Sequence, residues 1–369
     1  MIDLVNDMRS IAWRHYELDK YLQSEGWWRR IITVSLKIPG YGPFNILRAC
    51  LWVVKNLQLQ SRLKEALRLH HAVHSKITNI VGPDHQVAML SKEVPGQIQQ
   101  ALGDSESEIL IYREIVQICL CRFGTKSRDA VDAIGSLGVA LKTCGQYQEA
   151  EALLYIFTQL DCELSHDADR NTIEAQSTVY VMSHLASCLR RQGRYGDSAA
   201  ILVATERRFK DLICLENPSG RVYYRQKAKV LKIEGQLLES EEILRGILNH
   251  APDHPTMDKT NALASLANIL AETGRQEEEA TLREKKFFDD VEKYGIAYKL
   301  TIESFEELGR CYIELGWYDD VIYLFQQRIE KLALIQGSET DFCNAYTREL
   351  RDWILRVEKR RRKAEELEN

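Results

Sequence analysis

Three histidines, His70, His71 and His74, stand on one stretch of helical pattern, with His70 and His74 a turn apart. Two imidazoles at that spacing can grip zinc. A catalytic zinc helix would also carry a carboxylate between them and a third ligand, whereas Ala72 and Val73 follow His71 here, and His85 is a third candidate without further support. The spacing therefore predicts solvated or hydrogen-bonded helix histidines. Cys119 and Cys121, two positions apart on a helix, point to different faces and make neither a zinc knuckle nor a redox pair. The word GTKS (124–127) has the wrong order for a phosphate loop and lacks its upstream glycine. No serine elbow, metalloprotease helix or kinase signature is present, and no motif calls for a cofactor.

Charge is the more informative feature. Between residues 186 and 232, eleven Lys/Arg oppose four Asp/Glu, a net of +7, while residues 275–320 hold seven against thirteen, a net of −6. The whole chain is mildly acidic at −5, so the polarity lies along its length. Such a field steers and orients a charged partner. The competing reading is a solvated helix face of mixed sign. A second basic run, KRRRK (359–363), could address the chain to the nucleus or touch an acidic surface, but Glu358, Glu365 and Glu366 flank it, as at an exposed helix end.

The elements that must position these charges follow from a glycine period. Gly103, Gly145, Gly193, Gly235, Gly274 and Gly316 are spaced by 42, 48, 42, 39 and 42 residues, and Ser61 lies 42 before the first. A fixed period in this range marks stacked supersecondary units. In the Gly145 unit Ile134, Leu137, Ala140 and Leu141 precede the glycine at helical spacing, and Ala150, Leu153, Leu154 and Phe157 follow it. The glycine belongs just past the end of the first helix. The small residue five positions on (Ala150, Ser198, Ser240) lets the second helix press against the first. The register decays N-terminally, where YLQSEGWWRRI (21–31) suggests a degenerate hairpin around Gly26, and Pro95 and Gly96 interrupt the unit at Gly103. The segment KIPGYGPFN (37–45) reads as a loop. All six tryptophans lie near the two ends, as expected of capping units. Nine scattered cysteines and the lack of a secretory leader pattern predict reduced thiols in an intracellular protein. No stretch is apolar for the roughly 18 residues that a membrane helix needs.

The turn words GQYQEAEALL and GRYGDSAAIL, the period near 42, and the loops VGPDH (81–85) and APDHP (251–255) resemble tetratricopeptide repeats of the kinesin-light-chain type, as found in fungal multi-repeat proteins. The resemblance is good over 125–330 and weakens toward the N-terminus. It implies an all-α, right-handed superhelical solenoid of about seven helix-turn-helix repeats: an N-terminal helical cap or degenerate repeat over 1–45, the array over 46–335, and a capping helix with a charged tail over 336–369. The family's usual first-helix asparagine is replaced by Ser136, His184, Gln226, Ser265 and Glu307, so no particular peptide specificity carries over.

In such a fold the first helices line the concave groove. By offset from the glycine, His184, Arg190 and Arg191 of one repeat and Arg225, Lys229 and Lys232 of the next fall on that wall, all expected to face solvent. The expected function is a scaffold or adaptor holding a partner peptide or helix, acidic in character, in the cytoplasm or, if the basic run is an address, the nucleus. Membrane and nucleic acid are not the expected partners. An accessory protein or enzyme of a biosynthetic pathway, with a small molecule in the groove, is the alternative; it would show a closed apolar pocket with few polar groups.

Overall fold

The computed structural model describes the chain except residues 1, 18–19, 61, 83–87, 89–90, 93, 97, 99–104, 165–171, 252–254, 297–298, 335–339 and 369. The glycine at 103 and most of the two loop words that carry the family resemblance therefore lie outside the described residues. Two compact units are present, Met1–Val230 and Leu231–Asn369. Among the described residues all regular structure is helical.

In the first unit the helices are α1 (Ile2–Glu17), α2 (Tyr21–Ser35), α3 (Pro43–Leu59), α4 (Leu63–Val81), α5 (Ser105–Phe123), α6 (Arg128–Thr143), α7 (Tyr147–Leu164), α8 (Thr172–Arg191), α9 (Tyr195–Phe209) and α10 (Pro218–Ile233), whose last turn crosses the boundary. The second unit continues with α11 (Leu237–His250), α12 (Met257–Glu272), α13 (Gln276–Tyr294), α14 (Lys299–Glu314), α15 (Tyr318–Ala333) and α16 (Thr340–Glu368).

The periodic glycines do what their spacing predicts. Gly145 has φ +81°, a left-handed conformation that costs a side-chain-bearing residue energy and glycine none. Its N–H reaches the Lys142 carbonyl at 3.2 Å, and the N–H of Gln146 reaches Leu141 at 3.0 Å. This pair of bonds is the Schellman closure, which satisfies carbonyls that the helix end would otherwise orphan. It recurs at Gly193, Gly235, Gly274 and Gly316. The same outer bond joins Arg62 N–H to Leu57 and Lys20 N–H to His15, at 2.9 and 2.8 Å.

That last bond corrects the N-terminal expectation. Gly26 lies inside α2, and the turn is the one before Lys20. Position 19 is 42 residues before Ser61, so the period extends one unit further than the glycines show. Asp19 stands where the others have Gly, which hid the register. Packing agrees: Ser24 donates to the Ala12 carbonyl at 3.0 Å as Ser198 does to Ala186 at 2.8 Å, each twelve residues apart. Ser24, Ala66, Ala150, Ser198 and Ser240 are all buried at this crossing.

Ala150 is fully buried in the cluster of Ile134, Leu137, Leu141 and Leu154, where its neighbour Gly138 leaves no room for even one more carbon beside Leu154. Ala150→Leu is expected to overpack this crossing and cost roughly 1–3 kcal/mol. A urea midpoint equal to the wild type's would show that the crossing is looser than described.

The tryptophans cap the first unit, with Trp28 stacked on Trp52 at 5.6 Å and Trp13 edge-on to Trp52 at 4.5 Å. In the second unit Phe305, Phe325, Leu350 and Val357 join α14, α15 and α16 in one core. In the charged tail α16 runs on to Glu368, with Arg361 ion-paired to Asp319 of α15 at 2.5 Å.

Candidate partner-binding groove

Three first helices of the repeat, α6, α8 and α10, carry the candidate residues, and α6 and α8 touch directly. The Schellman turns fix which side chains share a wall. Lys142 and Arg190 both sit three residues before their glycines, Arg191 two before, Lys229 six before and Arg225 ten before. Lys142, Arg190 and Lys229 are half-buried and Arg191 is exposed.

Two of the predicted residues are not where the sequence puts them. Arg225, expected in solvent, is only 8% exposed, and His184 only 6%. Ser183, Ser187 and Gln226, beside them on α8 and α10, are also buried. Lys232 lies past the unit boundary and pairs with Glu272 at 2.7 Å within the second unit.

What the geometry brings together is a set of like charges. Lys142 Nζ donates to His184 Nδ1 at 3.0 Å, and the Tyr180 ring lies edge-on to His184 at 4.4 Å. A ring nitrogen accepting from an ammonium requires a neutral imidazole. Burial, then the charges of Lys142 and Arg225, hold His184 in that form well below its usual range. Its Nε2 is buried without a hydrogen-bond partner, as is Nε of Arg190. Burial and the repulsion of Arg225, Arg190, Arg191 and Lys142 push the Lys229 ammonium down to about 6. Burial and the same arginines bring Lys142 down to about 8. Among the described residues no carboxylate pairs with Arg190, Arg191 or Lys229. Burial raises Glu108 to about 7, against the pull of Lys142.

Several other cations of the +7 segment are held by partners. Arg194 pairs with Glu151 and Asp197 at 2.6 and 2.7 Å, Lys227 pairs with Glu206 at 2.9 Å, and Arg221 donates to the Leu215 and Glu216 carbonyls. The net charge of the segment thus counts cations that acids and carbonyls already engage together with Arg190, Arg191 and Lys229, which no carboxylate pairs among the described residues. Lys142 escaped the sequence reading because it lies outside the basic run. Its signal was its offset from Gly145, the same as that of Arg190 from Gly193.

The remaining sequence candidates resolve locally. His70 Nε2 meets the Ser91 carbonyl at 2.7 Å and His74 Nδ1 meets Ser91 Oγ at 2.5 Å, so both are hydrogen-bonded helix histidines. Among the described residues no group of three potential ligands gathers for a metal, and His85 lies outside them. Cys119 is buried and Cys121 exposed. Cys188, beside Lys142, is held as a thiol, raised to about 12 by burial. In GTKS, Gly124 closes α5 and Ser127 Oγ caps α6 by accepting from Ala130 N–H at 3.2 Å. Of the tyrosines that follow the repeat glycines by two residues, Tyr147 and Tyr318 pack against cores, whereas Tyr195 is 45% exposed. Among the described residues no helix is long and apolar enough to cross a membrane.

No family model matches the chain, and no curated protein does. Solved structures do. A Rap protein complexed with Competence and Sporulation Factor superposes with a TM-score of 0.57 at 11% identity, covering 98% of this chain and 99% of that one. The apo form of RapI gives 0.50 at 10% identity with the same coverage. A putative kinesin light chain from Podosopora anserina with TPR-like repeats gives 0.44 at 18% identity over 57% of this chain and 96% of that one. The fold is thus a tetratricopeptide-like helical repeat.

Proposed function

We propose that this protein is an interaction scaffold whose first-helix groove, in the unit Met1–Val230, holds an acidic segment of a partner protein. The observation that carries this is the cluster of Lys142, Arg190, Arg191 and Lys229 around a buried neutral His184. Packing like charges together costs stability, and a fold with no use for them gains by exchanging one for an acid or an apolar residue. Anionic side chains entering the groove supply the missing charge. The neutral His184 offers its Nε2–H as a donor that no protein group takes up. The Rap relative complexed with Competence and Sporulation Factor is a precedent for a fold of this kind holding a partner.

A hexaglutamate peptide and a pull-down from native extract test the reading together. Reversing Arg191 and Lys229 to glutamate is expected to leave helicity intact, because the exposed Arg191 and the discharged Lys229 make no structural ion pair. The variant should associate with the peptide at least tenfold more slowly at low salt, with the deficit shrinking as salt screens the steering field. It should also lose the partners that the wild type retains. Equal binding at low salt would leave the cluster a solvated face.

A further inference from the structure

The basic run near the C-terminus belongs to a second cavity, in the unit Leu231–Asn369. The cavity measures about 520 Å³ and lies between α14 and α16. Ile313, Trp353 and Val357 form its floor. Trp353 is fixed by edge-on contact with Phe325 at 6.0 Å, and Val357 is fully packed into the core beneath. The rim is Arg310 from α14 and Arg356, Lys359, Arg360 and Lys363 from α16, opposed by one acid, Glu314. Arg361 explains the arrangement: its ion pair with Asp319 turns it away from the cavity and pins α16 so that its neighbours face inward. Among the described residues, Arg356, Lys359, Arg360 and Lys363 have no carboxylate partner within salt-bridge reach.

We infer that this cavity binds a small anionic amphiphile, its aliphatic or aromatic body on Trp353 and its carboxylate or phosphate among the rim cations. The volume falls in the range of about 300–1,000 Å³ typical of small-molecule sites, which combine an apolar lining with a few placed charges. The apolar floor is three residues long, enough for one ligand body and too short for the repeated anchors of a docked helix. Five cations against one acid select an anionic head over a neutral or cationic one. This site is independent of the groove of the first unit.

Three probes separate the two ingredients: octyl phosphate has both, inorganic phosphate has only the anion, and octyl glucoside has only the tail. Octyl phosphate is expected to bind below its micellar concentration and to change tryptophan emission, and that change is expected to vanish in Trp353→Phe, which keeps the floor apolar. Inorganic phosphate and octyl glucoside should each bind at least tenfold more weakly. Lys359→Glu with Lys363→Glu, and separately Arg356→Glu with Arg360→Glu, should weaken octyl phosphate at least tenfold at low salt while circular dichroism stays unchanged. Glucoside binding as tightly as octyl phosphate, binding unaffected by both reversals, or an emission change that survives Trp353→Phe would overturn the assignment. An indole carboxylate in place of octyl phosphate then tells an aromatic body from an acyl one.

Discussion

Hexaglutamate binding to the groove takes up protons, and its affinity rises by about tenfold per pH unit as pH falls from 8 to 7. The reason is the state of two lysines in the free protein. Lys229 titrates at about 6 and is mostly uncharged at pH 7, whereas Lys142 titrates at about 8 and is mostly charged there. Burial is the largest cause of both depressions, and a bound carboxylate opposes it by pairing with the ammonium form while it offsets the repulsion of Arg190, Arg191 and Arg225, so both amines move back up toward the lysine range. The bound state then holds roughly one more proton than the free state, and one proton of linkage corresponds to about tenfold in affinity per pH unit. Below pH 6 the free protein has already charged Lys229, so the slope flattens. Calorimetry in buffers of different ionisation enthalpy reads the proton uptake directly. Glu108 titrates near 7 on the other side of Lys142, so Glu108→Gln is the control, and the uptake should persist in it. A pH-independent affinity with no uptake between pH 8 and 6 would mean that the anion does not reach the lysines.

The repeat was legible because its turn is chemically demanding. A left-handed residue after each first helix selects glycine, and five of these glycines close the same two hydrogen bonds. Where Asp19 replaces glycine the word disappears and only the 42-residue count survives, which is why Gly26 looked like the better turn. The small residue at the crossing was legible for the same reason, since Ala150 and Ser198 answer to a steric limit that few residues meet.

The groove was legible only in outline. Offsets from the glycines put Arg190, Arg191 and Lys229 on successive first helices, and their charges act on one another there. Summed charge was the wrong measure, because Arg194 and Lys227 are neutralised by acids from neighbouring helices that no local count includes. The same omission concealed the pairing of Lys232 with Glu272 and the approach of Lys142 to His184, both across a repeat length. Burial of Arg225 and His184 depends on flanking helices and has no signature in their own segment.

The second large effect is a trade between stability and binding at one residue. Lys229→Met is expected to stabilise the protein and to abolish tight hexaglutamate binding together. In the wild type the native state holds this amine discharged at about 6, against 10.5 for the unfolded chain. Between those two values the unfolded state binds a proton that the native state refuses, so stability falls as pH drops from 10.5 toward 6 and changes no further below it. At pH 7 the penalty approaches its maximum. Each pH unit of displacement is worth about 1.4 kcal/mol, and discounting for the partial exposure of the side chain leaves a gain on the order of 1–3 kcal/mol for methionine, which keeps the aliphatic stem and removes the amine. Urea unfolding at pH 7 and pH 10 reads both size and sign: the midpoint advantage of the variant should be large at pH 7 and small at pH 10. Lys229→Arg, which cannot discharge, should instead lower the midpoint while retaining peptide binding. A methionine variant less stable than the wild type at pH 7 would show that the groove already neutralises this lysine, and the unbalanced cluster on which the functional reading rests would be lost with it.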